Sequence, residues 1–553
     1  MTPDAPAAAT ADRIARQREV WLLAATLLVA VAGLIYELIA ATLSSYLLGD
    51  SVRQFSLVIG VFLAAMGLGA WLSRFVGNAL GGFIWAQIGL GVLGGFMAPL
   101  LYFSYAAIGV VEGPLYAALI AVGALSGMEI PLIARVLKQI GAPAFRFENV
   151  LSVDYIGALV ASILFPTLIL PHLGLMAASL AFGVMNLLVA GLSLWIFRAE
   201  APRAARPVWA CALLAACLAL WQSERMVSAA EAQLYEDDII LTEQSPWQRI
   251  TVTRFRDRVR LYLDGSIQFD TMDEYRYHEA LVHPAMGLVE RPRRVLILGG
   301  GDGLAAREVL RHAPPLETVQ PVTVPGSEGG QTVQPVTLSG SEGGQTVHEI
   351  TLVDLDGAVT TLFRDHPELS ALNGHSLRDP RVTILNMDAW KFAETPGPVY
   401  DVIIADLPDP KSLALSKLYS REFYAMLMEH LAPRGVLVVQ SGSPLYARDA
   451  YWSVVRTLRA TRNPQSPDRP LSVYPYHIFL PSFGDWGFSL VTQSPLAGAT
   501  PDLPPNLRYL TPDTWAAAQA FGPDEGETSA EINTLRSHAL VGYYNAGWDR
   551  WFR

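Results

Sequence analysis

Cysteine is almost absent from this chain of 553 residues: the two present, Cys211 and Cys217, fall in one apolar run and make no CxxC pair. Neither a zinc site nor a disulfide framework is suggested by that count. Charge is scarce as well, at 16% of residues against 51% hydrophobic, which is too apolar for a purely soluble protein. No cleavage-site pattern follows the Ala-rich and then basic segment 1–18, and the first apolar run exceeds signal-peptide length.

The apolar excess is confined to the first 225 residues, so two parts in different solvents are expected. Apolar runs at 21–43, 55–75, 83–105, 114–135, 152–171 and 174–197 are each long enough to cross a hydrocarbon core of about 30 Å as a helix. A shorter seventh run, 207–222, is ambiguous between crossing and lying in the interface. Basic residues gather at the N-terminus (Arg13, Arg16, Arg18) and after the second, fourth and sixth runs, which places the N-terminus inside. The acids Glu37, Glu129 and Asp154, in or near these runs, read as interhelical hydrogen-bonding groups or as parts of a transport path.

From about residue 235 the pattern changes. Ile250–Phe255 and Val259–Leu263 alternate about a charged turn, as a β-hairpin does. A helix-like run, Met272–His283, leads to Val295-Leu-Ile-Leu-Gly-Gly-Gly-Asp-Gly303 and a second helix-like run. An apolar strand, a glycine turn and a helix N-terminus form a place where backbone can approach an anion or nucleotide closely. The next strand ends in Asp354, where a ribose-binding acid stands in nucleotide-binding α/β folds, roughly 20 residues past the glycines. Asp354 is 51 residues past Gly303, but a 14-residue tandem repeat occupies 318–345, and without those 28 residues the spacing is 23. The repeat reads as an insertion in a surface connection. Further strands end at Asp388-Ala389, at Asp406 with Asp409, and at Gln440. Alternating strands and helices predict a doubly wound, Rossmann-like sheet of the S-adenosylmethionine-methyltransferase type behind a small β module. In such sheets ligands bind at the carboxyl ends of the strands, and six polar side chains collect there. Free carboxylates suit a cationic substrate, and an amine, protonated at neutral pH, needs a base before it can attack.

Five ordered motifs carry a resemblance: Leu263-Asp-Gly-Ser-Ile-Gln268, Asp273-Glu-Tyr-Arg-Tyr-His-Glu279, Gly299-Gly-Gly-Asp-Gly303, Val353-Asp-Leu-Asp356 and Asp406-Leu-Pro-Asp-Pro410. Together they resemble the motif series of spermidine synthases, over roughly residues 235 to 495. The membrane half is similar to that of bacterial relatives with an N-terminal multi-pass region. The resemblance implies transfer of an aminopropyl group from decarboxylated S-adenosylmethionine, as co-substrate, to putrescine, releasing methylthioadenosine, with no cofactor and no metal. By position it makes Asp406 the proton acceptor. His278, Asp302, Tyr277 and Asp409 would bind the polyamine. Gln248, Asp354, Asp388, Ala389, Gly299 and Gly301 would hold the nucleoside. The sequence departs from the family at Leu407-Pro408, where small hydroxyl residues are usual, and at Leu480, where soluble members carry a tyrosine.

The expected domains are a tail (1–18), a membrane domain with six or seven helices (19–225), a β module (235–290), a Rossmann-like domain (291–495) and a C-terminal extension (496–553). The net charge of −11 agrees with cationic substrates without requiring them. Expected partners are a polyamine, the adenosyl donor and the lipid bilayer, with a second copy of the chain left open and no nucleic acid. The expected location is the inner membrane, with the α/β domain in the cytoplasm. Two other readings stay open at this point: an amine methyltransferase, and a non-catalytic membrane transporter or sensor of polyamines.

Overall fold

A computed structural model describes residues 5–48, 51–108, 111–140, 147–226, 235, 237–313, 347–496, 498 and 500–552. The chain divides into two compact units, Met1–Ile240 and Leu241–Arg553. The tandem repeat at 318–345 lies outside the described residues.

In the first unit, five described helical runs are long and apolar enough to cross a membrane: Arg16–Ser45, Gln54–Phe75, Ala79–Tyr105, Glu112–Gln139 and Phe147–Ile196. The last contains 50 residues. As a straight helix it would be about 75 Å long, more than twice the thickness of the hydrocarbon core. Gly174 breaks it, with φ 66° and ψ 176°, a conformation open to glycine and costly for other residues. The run therefore consists of two helical pieces, divided where the sequence separates its fifth and sixth apolar runs. Ala205–Trp221 is apolar but only 17 residues long. Buried Glu129 accepts a hydrogen bond from the Gln87 amide of a neighbouring helix, and buried Asn186 donates to the Tyr36 hydroxyl at 3.0 Å. Interhelical bonds of this kind satisfy polar groups where water is excluded.

The second unit opens with a four-stranded sheet in the order β1 (Asp238–Gln244), β2 (Arg249–Phe255), β3 (Arg258–Leu263) and β4 (Ser266–Asp270). The charged turn between β2 and β3 is present, and Asp264-Gly265 turns β3 into β4 with both φ values positive. The helix Glu274–Gly287 then leads to the main sheet. Its strands are β5 (Arg294–Gly299), β6 (Glu349–Asp354), β7 (Val382–Asn386), β8 (Tyr400–Asp406), β9 (Leu431–Gly442), β10 (Ser472–Leu480) and β11 (Gly484–Thr492). Their order is β10-β11-β9-β8-β5-β6-β7, parallel from β5 to β9, with β11 antiparallel to both β9 and β10. The expected doubly wound sheet is thus present. Val295, Leu296, Ile297 and Leu298 are fully buried, as a central strand covered on both faces requires. Chain order reverses at β5, which lies between β6 and β8, so the crevice at the carboxyl end of β5 is the topological switch point.

Two fastenings fix what surrounds that crevice. Where the chain leaves and returns on either side of 314–346, the Val347 amide donates to the His312 carbonyl and the His348 amide to Arg293, so β6 starts in register with β5. On the helix Glu274–Gly287, the buried Glu279 carboxylate accepts three backbone N–H groups, from Arg508 (2.7 Å), Tyr509 (2.8 Å) and Leu510 (2.9 Å). Removing it orphans three donors at once. We expect Glu279→Ala to cost about 3 kcal/mol or more, since each buried unsatisfied group costs about 1–3 kcal/mol. Glu279→Gln, which keeps one acceptor oxygen, should recover part of the loss. Thermal unfolding of the detergent-solubilised protein measures both.

Candidate active site

The site is assembled at the carboxyl ends of β5, β6, β7, β8 and β9. At Gly299 the β5 backbone passes so close to β8 that a Cβ there would lie 1.9 Å from the Asp406 carbonyl oxygen. This contact sets the glycine loop beside Asp406. The loop is fixed from below, where Asn373 donates to the Asp302 carbonyl at 2.7 Å and Ser376 to the Gly303 carbonyl at 2.7 Å. The Asp302 carboxylate accepts the Leu304 amide at 2.9 Å, at the first turn of the helix Leu304–Leu310.

Around Asp406 the structure brings together Tyr277, His278 and Asp302. The Tyr277 hydroxyl donates to Asp406 Oδ1 at 2.6 Å. Burial pushes the Asp406 carboxyl up to about 6, assisted by the charge of Asp302 and opposed by His278 and the Tyr277 hydroxyl. Burial, with Asp406 next to it, holds the Tyr277 hydroxyl well above its ordinary range, so it stays protonated and donating. Asp302 is raised too, again chiefly by burial. For His278, burial favours the neutral ring, but Glu274, Asp302 and Asp406 outweigh it and raise the pKa. Its Nδ1 is held by the Glu274 carbonyl (2.8 Å) and carboxylate (2.9 Å). Glu274 is in turn gripped by Arg307 through two bonds, at 3.1 and 2.8 Å. His283, on the same helix, is fully buried between Glu308 and His312 and serves as a hydrogen-bonded core residue.

Asp409, three residues beyond Asp406, sits in a second cluster. Its Oδ1 accepts the Gln440 amide at 3.0 Å, and its Oδ2 accepts the Tyr544 hydroxyl at 2.7 Å. Burial again raises its pKa. The Leu407-Pro408 departure is held by Tyr419, whose hydroxyl donates to the Leu407 and Pro408 carbonyls at 2.9 and 3.1 Å. Leu480, at the other departure, is buried in the core at the end of β10. Tyr544, Tyr419 and Arg307 escaped the sequence reading. None belongs to a motif, and Tyr544 lies 135 residues from its partner.

On the nucleoside side, both oxygens of Asp354 accept backbone amides, from Gly301 at 3.0 Å and Asp356 at 2.8 Å. Burial pushes Asp354 up to about 6 despite these bonds. Gln248 reaches the same region but donates to Asp356, at 2.9 Å, rather than to Asp354. Asp388 caps the helix Ala389–Glu394 through the Trp390 amide (2.9 Å) and pairs with Lys417 (2.9 Å), and Ala389 is buried behind it. Among the described residues, one group brings metal-ligand atoms together, His477, Asp485 and Glu525, within 4.8 Å of one another. Both ring nitrogens of His477 are hydrogen-bonded to oxygen acceptors, Asp485 at 2.7 Å and the Ala520 carbonyl at 2.8 Å. Burial of that ring favours its neutral form, but the hydrogen bonds to Asp485 and the Ala520 carbonyl outweigh it and raise its pKa.

Residues 274–498 match the Spermine/spermidine synthase domain family. The chain is 39% identical over 531 residues to the polyamine aminopropyltransferase of Leptospira interrogans serogroup Icterohaemorrhagiae serovar copenhageni, covering 95% of this chain and 98% of that protein. It is 36% identical over 534 residues to the polyamine aminopropyltransferase of Oceanobacillus iheyensis (95% and 96% covered). It is also 36% identical over 568 residues to that of Mycobacterium tuberculosis (99% and 100%). Among solved structures it is similar to spermidine synthase from Thermotoga maritima, at 23% identity and TM-score 0.40, over 52% of this chain and 85% of that one. A spermidine synthase in complex with the transition state analogue AdoDATO aligns at 24% identity and TM-score 0.42, over 52% and 86%. With full-length relatives at this level of identity, the chain belongs to the polyamine aminopropyltransferase family and is a transferase.

Proposed function

We propose that this enzyme transfers the aminopropyl group of decarboxylated S-adenosylmethionine to putrescine, giving spermidine and methylthioadenosine. The observation that carries the reading is the state of Asp406. It is a half-buried carboxylate raised to about 6, hydrogen-bonded by a neutral phenol and, among the described residues, paired with no arginine or lysine. Such a group is ionised at pH 7 and free to take a proton. An amine nitrogen held against it attacks the carbon beside the sulfonium, the C–S bond breaks with its electron pair going to sulfur, and the proton leaves the nitrogen for Asp406. Asp302 and Asp409 then provide anionic contacts for the amine, with His278 tuning the charge around Asp302 and Asp406. The glycine loop, Asp354, Gln248 by way of Asp356, and the Asp388-Ala389 turn support the nucleoside.

Positioning supplies much of the acceleration, and a general base adds about 10²–10⁴-fold. Turnover of Asp406→Asn should fall by about that factor while methylthioadenosine still binds. Raising the pH should restore part of it, because more amine arrives neutral. In the unsubstituted enzyme the base form is lost as pH drops through about 6, so turnover should decline across that window. Near-normal turnover of Asp406→Asn at neutral pH would sink the assignment.

Asp302→Asn and Asp409→Asn remove charge pairing and leave the base in place. Their effect should fall mainly on the apparent KM of the amine, with a smaller one on kcat. Steady-state kinetics at varied amine and fixed donor separate these parameters. Equal losses of kcat in all three variants would contradict this division of roles.

We further propose that the first unit anchors the enzyme in the inner membrane and that the second unit faces the cytoplasm, where the donor is made. The distribution of basic residues supports an inside N-terminus. A reporter fused after Arg553 should be active only if it is a cytoplasmic one. Activity of a periplasm-specific reporter at that point would overturn the placement.

A further inference from the structure

The helix Ala539–Phe552 lies wholly outside the stretch that matches the Spermine/spermidine synthase domain family, which ends at residue 498. It nevertheless delivers a side chain to the carboxylate-lined crevice. Its approach is built rather than incidental. Asn533, just before it and fully buried, donates to the Ser416 carbonyl at 2.9 Å and accepts from the Ser416 hydroxyl at 3.3 Å. The Asn533 amide donates to the Thr457 hydroxyl at 2.8 Å. Leu540 is fully buried in the first turn of the helix. At Gly547 the helix touches the chain at Ala447, where a Cβ would come within 2.6 Å of the Ala447 Cα. Tyr544 and Gly547, three residues apart, lie on one face of the helix. That close approach therefore fixes where the phenol reaches, and the Trp548 ring, 6.0 Å away, packs beside it.

The Tyr544 hydroxyl ends on Asp409 Oδ2 at 2.7 Å, opposite the Gln440 amide on Oδ1. Both donors are neutral, so the carboxylate is oriented without losing its charge. Asp409 is separated from Asp406 by only Leu407-Pro408 on the same loop. A diamine whose reacting nitrogen lies at Asp406 would direct its other nitrogen toward Asp409, and its chain would end against the phenol. We propose that Tyr544 is a specificity-determining residue: it orients Asp409 and forms the end wall of the acceptor site, limiting acceptors to short diamines. This rests on the assignment of Asp302 and Asp409 to the amine made above.

The test compares Tyr544→Phe, Tyr544→Ala and Asp409→Asn in the full-length protein, with diamines of three to five carbons and a longer triamine as acceptors. Losing a hydrogen bond to a charged group corresponds to about a tenfold change or more. Tyr544→Phe should therefore raise the diamine KM by about that factor, with a smaller change in kcat. Tyr544→Ala, which also removes the ring, should shift the kcat/KM ratio of triamine to diamine toward the triamine by about tenfold. Methylthioadenosine affinity, measured in the same variants, reports whether the nucleoside side is intact. If Asp409→Asn raises the diamine KM but both Tyr544 variants keep the unsubstituted KM and acceptor ratio, the inference about Tyr544 is wrong and the acceptor-site assignment stands. If Asp409→Asn leaves amine KM unmoved, the acceptor-site assignment itself fails. A uniform loss of kcat across all acceptors with an unchanged ratio would reduce Tyr544 to a structural prop and overturn the proposal.

Discussion

Everything in the catalytic unit depends on holding several carboxylates together, half out of water, at the end of one sheet. Carboxylates placed this way repel one another and lose hydration, and the raised pKa values of Asp302, Asp354, Asp406 and Asp409 record that cost. The fold offsets it with neutral donors: the Leu304 amide at Asp302, two amides at Asp354, a phenol at Asp406, and a phenol with a carboxamide at Asp409. Each supplies a hydrogen bond without cancelling the negative charge. A lysine or arginine beside Asp302, Asp406 or Asp409 would steady the carboxylate better, and it would fill the place that the proposed function gives to a cationic amine.

Cations are kept one step back, where they fix geometry instead. Arg307 binds Glu274, which holds His278, and Arg258 and Arg260 close on the buried Asp270 of the β module. Glu308, between Arg307, Arg311 and His283, is held down to about 2: burial opposes ionisation, but His283 and Arg307 prevail. Arginine-bound carboxylates thus fix the frame, while Asp302, Asp354, Asp406 and Asp409 are held by neutral donors.

How much of this was legible varies with the range of the interaction. Strand-end acids could be read directly, because a run such as Val295–Leu298 declares a buried strand and whatever follows it lies at the edge. The hairpin turns and the Gly299–Gly303 loop were readable for the same local reason. Gln248 was expected at the nucleoside beside Asp354; its amide bonds to Asp356 instead, a choice set by how the β module docks on β6. His278 and His283 sit on one helix five residues apart, and only packing decides that the first meets the acids and the second Glu308. The sequence already separates its fifth and sixth apolar runs near Gly174, but the positive φ that divides the helix there belongs to the folded backbone. Tyr544 had no local signature at all, because a phenol in an ordinary helix becomes informative only once its distant partner is known.

The hydrogen bond between Val347 and His312 has an evolutionary side. The chain between those residues departs and returns at one point, while β5 and β6 are joined to each other by their own ladder. Loop closure costs only about 0.6 kcal/mol for each doubling of length, so added residues there weigh little on the fold. A slip in DNA replication that copies a short stretch in frame lengthens the protein without shifting either strand or any acid of the crevice. Back-to-back 14-residue repeats are the kind of addition such a junction can take, because the ladder between β5 and β6 does not depend on its length.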